Sequence, residues 1–143
     1  MLKIREAREE DLERLREIIN EPAVIRYMPL EKPVRLSRIM RWFQSFALFH
    51  QPTIFVLELD KVIGACTISD NGKITIWVDE NCQRKGYGRK AMAHLREYAS
   101  KKGLKRLWLE CFKDNKQALF FYRSLGFIQT GERNGEYVME LKI

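Results

Sequence analysis

Ile74-Thr75-Ile76-Trp77-Val78, then Gln83-Arg84-Lys85-Gly86-Tyr87-Gly88, then Ala91, Met92, Leu95, Tyr98 and Ala99 form the passage that decides the fold. The apolar period changes from that of a strand to that of a helix, and a glycine turn joins the two. Such a turn aims several unpaired N–H groups at one spot, where the helix dipole favours negative charge. Glycine adds close approach, because no Cβ stands between backbone and ligand. Arg84, Lys85 and Arg89 supply point charges. The pattern therefore predicts a site for a phosphorylated small molecule. It is neither a GxGxxG fingerprint nor a Gly-Lys-Ser/Thr loop, so a nicotinamide enzyme and a P-loop NTPase are poor fits.

Working outward, the upstream chain reads as a strand over residues 2–7 and a helix from near Glu9, with Leu12, Leu15, Ile18 and Ile19 as its apolar stripe. Pro22 stops that helix. A second helix is predicted from about Val34 to Phe46, facing inward through Leu36, Ile39, Met40, Phe43 and Ala47. Phe43 and Phe46 read as core, while Tyr27-Met28-Pro29 and Trp42 read as one wall of a substrate cleft. Ile54–Leu59 and Val62–Ser69 form a hairpin through Asp60-Lys61, and Asn71-Gly72 turns the chain into the strand at Ile74.

Downstream, Gly103 is suited to end the helix that follows the glycine turn. A strand follows over 105–111, then a helix from Asp114 or Asn115 with Ala118, Leu119, Phe121, Tyr122 and Leu125 on one face. Gly126 ends that helix, Phe127-Ile128 opens a strand, and Asn134-Gly135 turns into a last strand, Glu136 to Ile143. The order from Ile74 onward, strand-helix-strand-helix-strand, implies a locally parallel or splayed arrangement in an otherwise antiparallel α/β (α+β mixed) fold. No linker or repeat divides residues 1–143, which read as one domain.

Composition sets the remaining bounds. The 143 residues are 45% hydrophobic and 31% charged, with no apolar run long enough to span a membrane and a charged N-terminus. A cytoplasmic setting without membrane contact is the expectation. Cys66, Cys82 and Cys111 are an odd set without CxxC spacing, and His50 and His94 lie far apart, so neither a disulfide framework nor a metal site is expected. Cys66 and Cys111 read as small core residues. The net charge of +7 is spread along the chain among glutamates, which disfavours nucleic acid as a partner.

The segment Gln83-Arg84-Lys85-Gly86-Tyr87-Gly88 resembles the (Gln/Arg)-x-x-Gly-x-(Gly/Ala) signature of the GNAT superfamily of N-acetyltransferases. A second block about thirty residues on, Asn115-Lys116-Gln117-Ala118-Leu119-Phe120-Phe121-Tyr122-Arg123-Ser124-Leu125-Gly126-Phe127, is similar to the family's Asn-x-x-Ala … Tyr-x-x-x-Gly-Phe block. The resemblance implies a central, mixed, mostly antiparallel sheet of about six to seven strands, flanked by about four helices and splayed between the fourth and fifth strands. It implies acetyl-CoA as cofactor, its pyrophosphate wrapped by Gln83 to Arg89 and its pantetheine arm beside Ile76, Trp77, Val78 and Asn115. A backbone N–H at Val78 or its neighbour would face the thioester carbonyl.

The same resemblance makes Tyr122 the general acid that protonates the departing thiolate. Trp108-Leu109-Glu110 followed by Asn115 is similar to ribosomal-protein N-terminal acetyltransferases, in which the Glu accepts the amine proton through water. Burial in this apolar strand would raise the pKa of Glu110 toward useful base strength, or Glu110 makes a structural ion pair. Asp79, Glu80 or a water chain are the alternatives, since the strand from Ile74 to Val78 holds no carboxylate. An α-amine, with a pKa near roughly 7.7 to 8.0, needs less help than a lysine near roughly 10.4, which favours a protein N-terminus as acceptor. The competing acceptors are small amines: a polyamine, an amino acid or an amino sugar. The rival functions are a non-catalytic coenzyme A-binding protein and a basic nucleic-acid or ribosome-binding protein. A homodimer is a further expectation, through an exposed final strand.

Overall fold

In a computed structural model, residues 1–49 and 51–143 are described; His50 lies outside the described residues. β1 (Lys3–Glu6), β2 (Thr53–Glu58), β3 (Val62–Ile68) and β4 (Ile74–Val78) form one antiparallel sheet in that order. β5 (Arg106–Phe112), β6 (Ile128–Arg133) and β7 (Glu136–Lys142) form a second sheet, with β7 in the middle. The helices are α1 (Leu12–Ile19), α2 (Pro22–Ile25), α3 (Leu36–Phe49), α4 (Tyr87–Lys101) and α5 (Lys116–Ser124), with a 3-10 turn at Glu9–Asp11 leading into α1.

Among the described residues the sheets meet at a single parallel bridge, Lys73 with Trp108, where the Trp108 N–H donates to the Gly72 carbonyl at 3.0 Å. Gly72 makes that approach possible. Its φ is +87°, and a Cβ there would stand 2.5 Å from the Arg106 carbonyl oxygen. Beyond the bridge β4 and β5 do not pair, so the expected splay between the fourth and fifth strands is present.

β2 is buried along almost its whole length because both of its faces are covered. Phe55 and Leu57 join the core beneath α4 and α5, with Leu95, Leu107, Leu119 and Met139. Ile54 and Val56 join the core beneath α1–α3, with Leu15, Ile18, Ile39 and Trp77. The second sheet is covered on one face only. Leu107, Leu109, Cys111, Met139 and Leu141 point into the first core, while Trp108, Glu110 and Glu136 alternate to the other face.

Three expectations are corrected. The turn after β3 is a three-residue loop, Asp70–Gly72, in which Gly72 alone is left-handed; Asn134-Gly135 is the two-residue turn with both residues left-handed, at φ 53° and 80°. Helix α3 buries only Ile39, with Leu36, Trp42 and Phe43 packed partly behind it, while Met40 and Ala47 are exposed. α3 lies over one edge of the sheet, so a narrower stripe than its periodicity suggested meets the core. The final strand is not exposed at its edges, because β5 and β6 pair with it on either side. The edges of this sheet belong to β6 and, facing β4, to β5. No helix among the described residues is long and apolar enough to cross a membrane.

One buried polar cluster ties β1 to α1. Arg5 donates to both Asp11 oxygens, at 2.8 and 2.9 Å, and to Glu58. Burial works against Asp11 ionising, but the Arg5 hydrogen bonds and the Arg8 N–H at 2.7 Å outweigh it and hold the carboxyl below its ordinary value. A depressed carboxyl contributes stability that is fully present above its unfolded pKa and is lost as pH falls through the folded one. Asp11→Ala is expected to lower the unfolding free energy by about 2 kcal/mol at neutral pH, since it removes two charge-assisted hydrogen bonds and leaves Arg5 with Glu58 as its remaining carboxylate. Urea denaturation should show that deficit shrinking as acid protonates Asp11 in the parent.

Candidate active site

The gap between β4 and β5 opens into a cleft of about 730 Å³. Which backbone groups face it follows from the ladders on either side. Asp79 donates to Ile63, and Ser69 to Lys73, so the odd-numbered residues of β4 spend their backbone groups on β3. Ile76 and Val78 therefore present theirs to the gap. On β5, Lys113 donates to Gly135 and Ile143 to Lys105, which turns Glu110 and Phe112 toward the gap in the same way. The expected pairing strand is thus open at Ile76 and Val78. Trp77 differs: its backbone is committed to Ala65, and its side chain lies on the opposite face, buried among α1–α3 and lining the cleft.

The glycine turn stands at the far end of that open edge. Arg84 at φ 63° and Gly86 at φ 86° are both left-handed, a winding that makes neighbouring N–H groups converge. Lys90 is the first residue to donate back into α4, to Gly86 at 3.2 Å. Among the described residues no acceptor takes the N–H groups of residues 84–89. Gln83, Arg84, Gly86, Tyr87, Gly88 and Arg89 line the cleft, whereas Lys85 is exposed and outside its wall. Gln83 has a local duty, donating through Nε2 to the Val78 carbonyl at 2.9 Å and fastening turn to strand. Gly88 is needed for packing, as a Cβ would sit 3.2 Å from the Phe121 ring of α5. These donors, the open strand edge and the neighbouring arginines fit an extended, phosphorylated ligand.

Helix α5 supplies the second wall. Asn115 caps it, its side-chain oxygen accepting from the Ala118 N–H at 3.3 Å. Two turns of helix later Tyr122 lines the same cleft. Phe121 and Phe127 pack against its ring, and no described residue hydrogen-bonds its hydroxyl. Burial pushes the Tyr122 pKa up, so at neutral pH it is a proton donor.

The carboxylates depart from expectation. Glu110 does line the cleft, but Lys73 Nζ donates to it at 2.6 Å and Arg133 Nε at 3.3 Å. The Lys73 hydrogen bond outweighs burial and, with Arg133, holds the Glu110 carboxyl below the ordinary range rather than above it. The alternatives named from sequence lie elsewhere. Asp79 accepts from Arg14 at 2.6 Å and from the Asn81 N–H at 2.9 Å, and Glu80 is exposed. The carboxylate that sequence reading passed over is Glu136. It is 8% exposed, lines the cleft and has no hydrogen bond or ion pair with any described residue. Burial and then the nearby Glu110 raise its pKa. Only its neighbours in space distinguish it, since in sequence it is one polar residue in an alternating strand.

The remaining wall is apolar. Tyr27, Met28 and Trp42 line the cleft, together with Leu15, Val24 and Trp77. Trp77 Nε1 is buried without an acceptor. Cys66 and Cys111 are buried, with burial pushing their thiols up to about 12 and about 11. Cys82 is half-buried and lines the cleft.

The model of the acetyltransferase (GNAT) family matches residues 8–127. The chain is similar to the ribosomal protein bS18-alanine N-acetyltransferase of Escherichia coli strain K12, at 40% identity over 62 residues. That match spans 43% of this chain and 42% of the relative. Among solved structures, the fold resembles a ribosomal-protein-alanine N-acetyltransferase from Brucella melitensis, with a TM-score of 0.84 at 22% identity over 99% of each chain. It also resembles a spermidine N-acetyltransferase from Vibrio cholerae in complex with CoA and spermine, with a TM-score of 0.81 at 19% identity, over 99% of this chain and 94% of that one. At such identities the two structures establish a shared fold.

The cysteines offer a direct probe of the cleft. Brief iodoacetamide treatment of the native protein should label Cys82 alone, with Cys66 and Cys111 labelled only after unfolding; peptide mass spectrometry reads the outcome.

Proposed function

The chain belongs to the acetyltransferase (GNAT) family, and from that premise we propose that it moves an acetyl group from acetyl-CoA to a primary amine by direct attack in a ternary complex. The observation that carries this reading is the continuous open strand edge at Ile76 and Val78, running to the unpartnered N–H groups of residues 84–89, with Tyr122 across the cleft. Bound acetyl-CoA supplies the thioester carbonyl that the amine attacks. Residues 84–89 hold the phosphates through backbone donors and the α4 dipole, with Arg84 and Arg89 adding charge. Asn115 sets the start of α5 and with it the position of Tyr122. The Val78 N–H is turned toward the gap, where it stabilises the developing oxyanion. Tyr122, kept protonated by burial, gives its proton to the leaving sulfur. Glu110 and Glu136 are the cleft carboxylates available to the amine. Cys82 has no described base beside it, so no acyl-enzyme is invoked.

A protein N-terminal α-amine is the acceptor we favour. The partial match to the bS18-alanine enzyme supports it, as does the wall of Met28, Trp42 and Trp77, which suits an apolar first side chain. The Trp77 Nε1 donor would suit a peptide carbonyl. A small polyamine is the second reading, prompted by the spermidine enzyme of like fold. The neutralisation of Glu110 by Lys73 and Arg133 counts against it, because a polycation needs several free carboxylates.

Isothermal calorimetry should find micromolar acetyl-CoA binding to the native protein and none to a folded Gly86→Glu variant, whose side chain puts a negative charge among the phosphate donors. Absence of binding to the native protein would overturn the reading. In steady-state assays against amino-terminal peptides and polyamines, Tyr122→Phe should lower kcat about 10²-fold while leaving acetyl-CoA affinity unchanged.

A further inference from the structure

We propose that Glu136, rather than Glu110, is the catalytic base that takes the proton from the substrate ammonium. The inference rests on the acetyltransferase reading and assigns one of its chemical steps. Two carboxylates stand on the cleft face of the second sheet. Glu110 pairs with Val138 across the β5–β7 ladder and Phe112 pairs with Glu136, which sets the two acids diagonally on the same face. Their surroundings differ sharply. Glu110 holds Lys73 Nζ at 2.6 Å on one oxygen and Arg133 Nε at 3.3 Å on the other. Its charge is matched and its lone pairs are engaged, the state of a structural anion.

Glu136 is more deeply buried than Glu110, and its side chain has no hydrogen bond or ion pair with any described residue. Burial raises the cost of ionising such a carboxylate and favours the arrival of a cation beside it. An ammonium substrate is a cation of that kind, and the cleft Glu136 lines is where it must bind. The charged groups that act on Glu136 from the neighbouring elements are Glu110 of β5, which raises its proton affinity, and Lys73 and Arg133, which lower it. Burial and Glu110 prevail. Glu136 and the proton donor Tyr122 line the same cleft.

The protons balance. Glu136 takes one from the ammonium and frees the nitrogen lone pair. That pair forms the N–C bond, the C–S bond breaks, and Tyr122 protonates the sulfur. The tyrosinate recovers the second nitrogen proton, and Glu136 releases its own to solvent through the cleft. Overall, one proton leaves for each ammonium acetylated. In this scheme Lys73 and Arg133 keep Glu110 ionised beside the base, and Glu110 acts as a positioning residue that sets the proton affinity of Glu136.

The test combines pH–rate profiles for the native chain, Glu136→Gln, Glu136→Asp and Glu110→Gln with a 13C-carboxyl NMR titration of the native chain, which needs no substrate. Glu136→Gln should lose about 10²-fold or more in kcat at neutral pH with acetyl-CoA affinity intact. That loss should narrow as rising pH neutralises the amine, and Glu136→Asp should restore part of the rate. Glu110→Gln should shift the acidic limb to lower pH, because the neighbouring negative charge is gone. In the titration Glu136 should protonate above the ordinary glutamate range, and Glu110 below it. The proposal is overturned if Glu136→Gln follows the native profile, if Glu110→Gln carries the large loss instead, or if Glu136 titrates at or below an ordinary glutamate. Failure of the acetyltransferase reading itself would show separately, as absent acetyl-CoA binding in a protein whose Glu136 still titrates high.

Discussion

A single backbone hydrogen bond, from Trp108 N–H to the Gly72 carbonyl at 3.0 Å, sets where the two sheets touch and where they must part. Strands twist, so two strands pinned at one end separate unless a ladder holds them along their length. β4 and β5 are already paired on their other edges, to β3 and β7. Past the pin, each therefore presents unpaired backbone groups to a gap. Buried backbone donors and acceptors demand partners, and a ligand able to add a strand-like arm supplies them. The cleft is thus the structural consequence of a sheet that is closed at one point and left open beyond it.

The other parts of the site take their positions from this opening. Gln83 fastens the glycine turn to Val78, so the converging N–H groups stand in line with the open strand edge. Gly88 admits the Phe121 ring, which brings α5 against α4 and sets Tyr122 across the gap. Arg14 reaches from α1 to Asp79 at 2.6 Å and anchors the end of β4 from the opposite side. Glycine turn, Tyr122 and the two cleft glutamates are consequently set on different elements around one open strand.

Charge is distributed within the cleft in a way that net charge does not reveal. The chain carries +7, and the end of the cleft at the glycine turn is lined by Arg84 and Arg89. The acidic residues at the other end are unequal. One has its charge matched by Lys73 and Arg133, and one lies buried without a partner. Burial and repulsion between like charges act in the same direction on Glu136, whereas hydrogen bonds oppose burial at Glu110. Two glutamates on one sheet face thereby acquire opposite proton affinities, a division suited to proton transfer at neutral pH.

Local sequence determined the elements of this protein and much of its glycine turn, because those features depend on neighbours a few residues apart. The change of apolar period around Gly86, the cap at Asn115, the left-handed Gly103 and Gly126, and the Asn134-Gly135 turn all act through backbone geometry that their own segment controls. Tertiary structure decided the rest. Glu110 stood out as the acid in an apolar strand, yet its pKa direction was set by Lys73 and Arg133, 37 and 23 residues away along the chain. Glu136 was indistinguishable from any polar residue of an alternating strand until the fold buried it beside Glu110. The last strand read as an edge until β6 folded back to pair with it. Electrostatic environment and strand order depend on which distant segments meet, and a pattern with a period of two or 3.6 residues carries no record of that meeting.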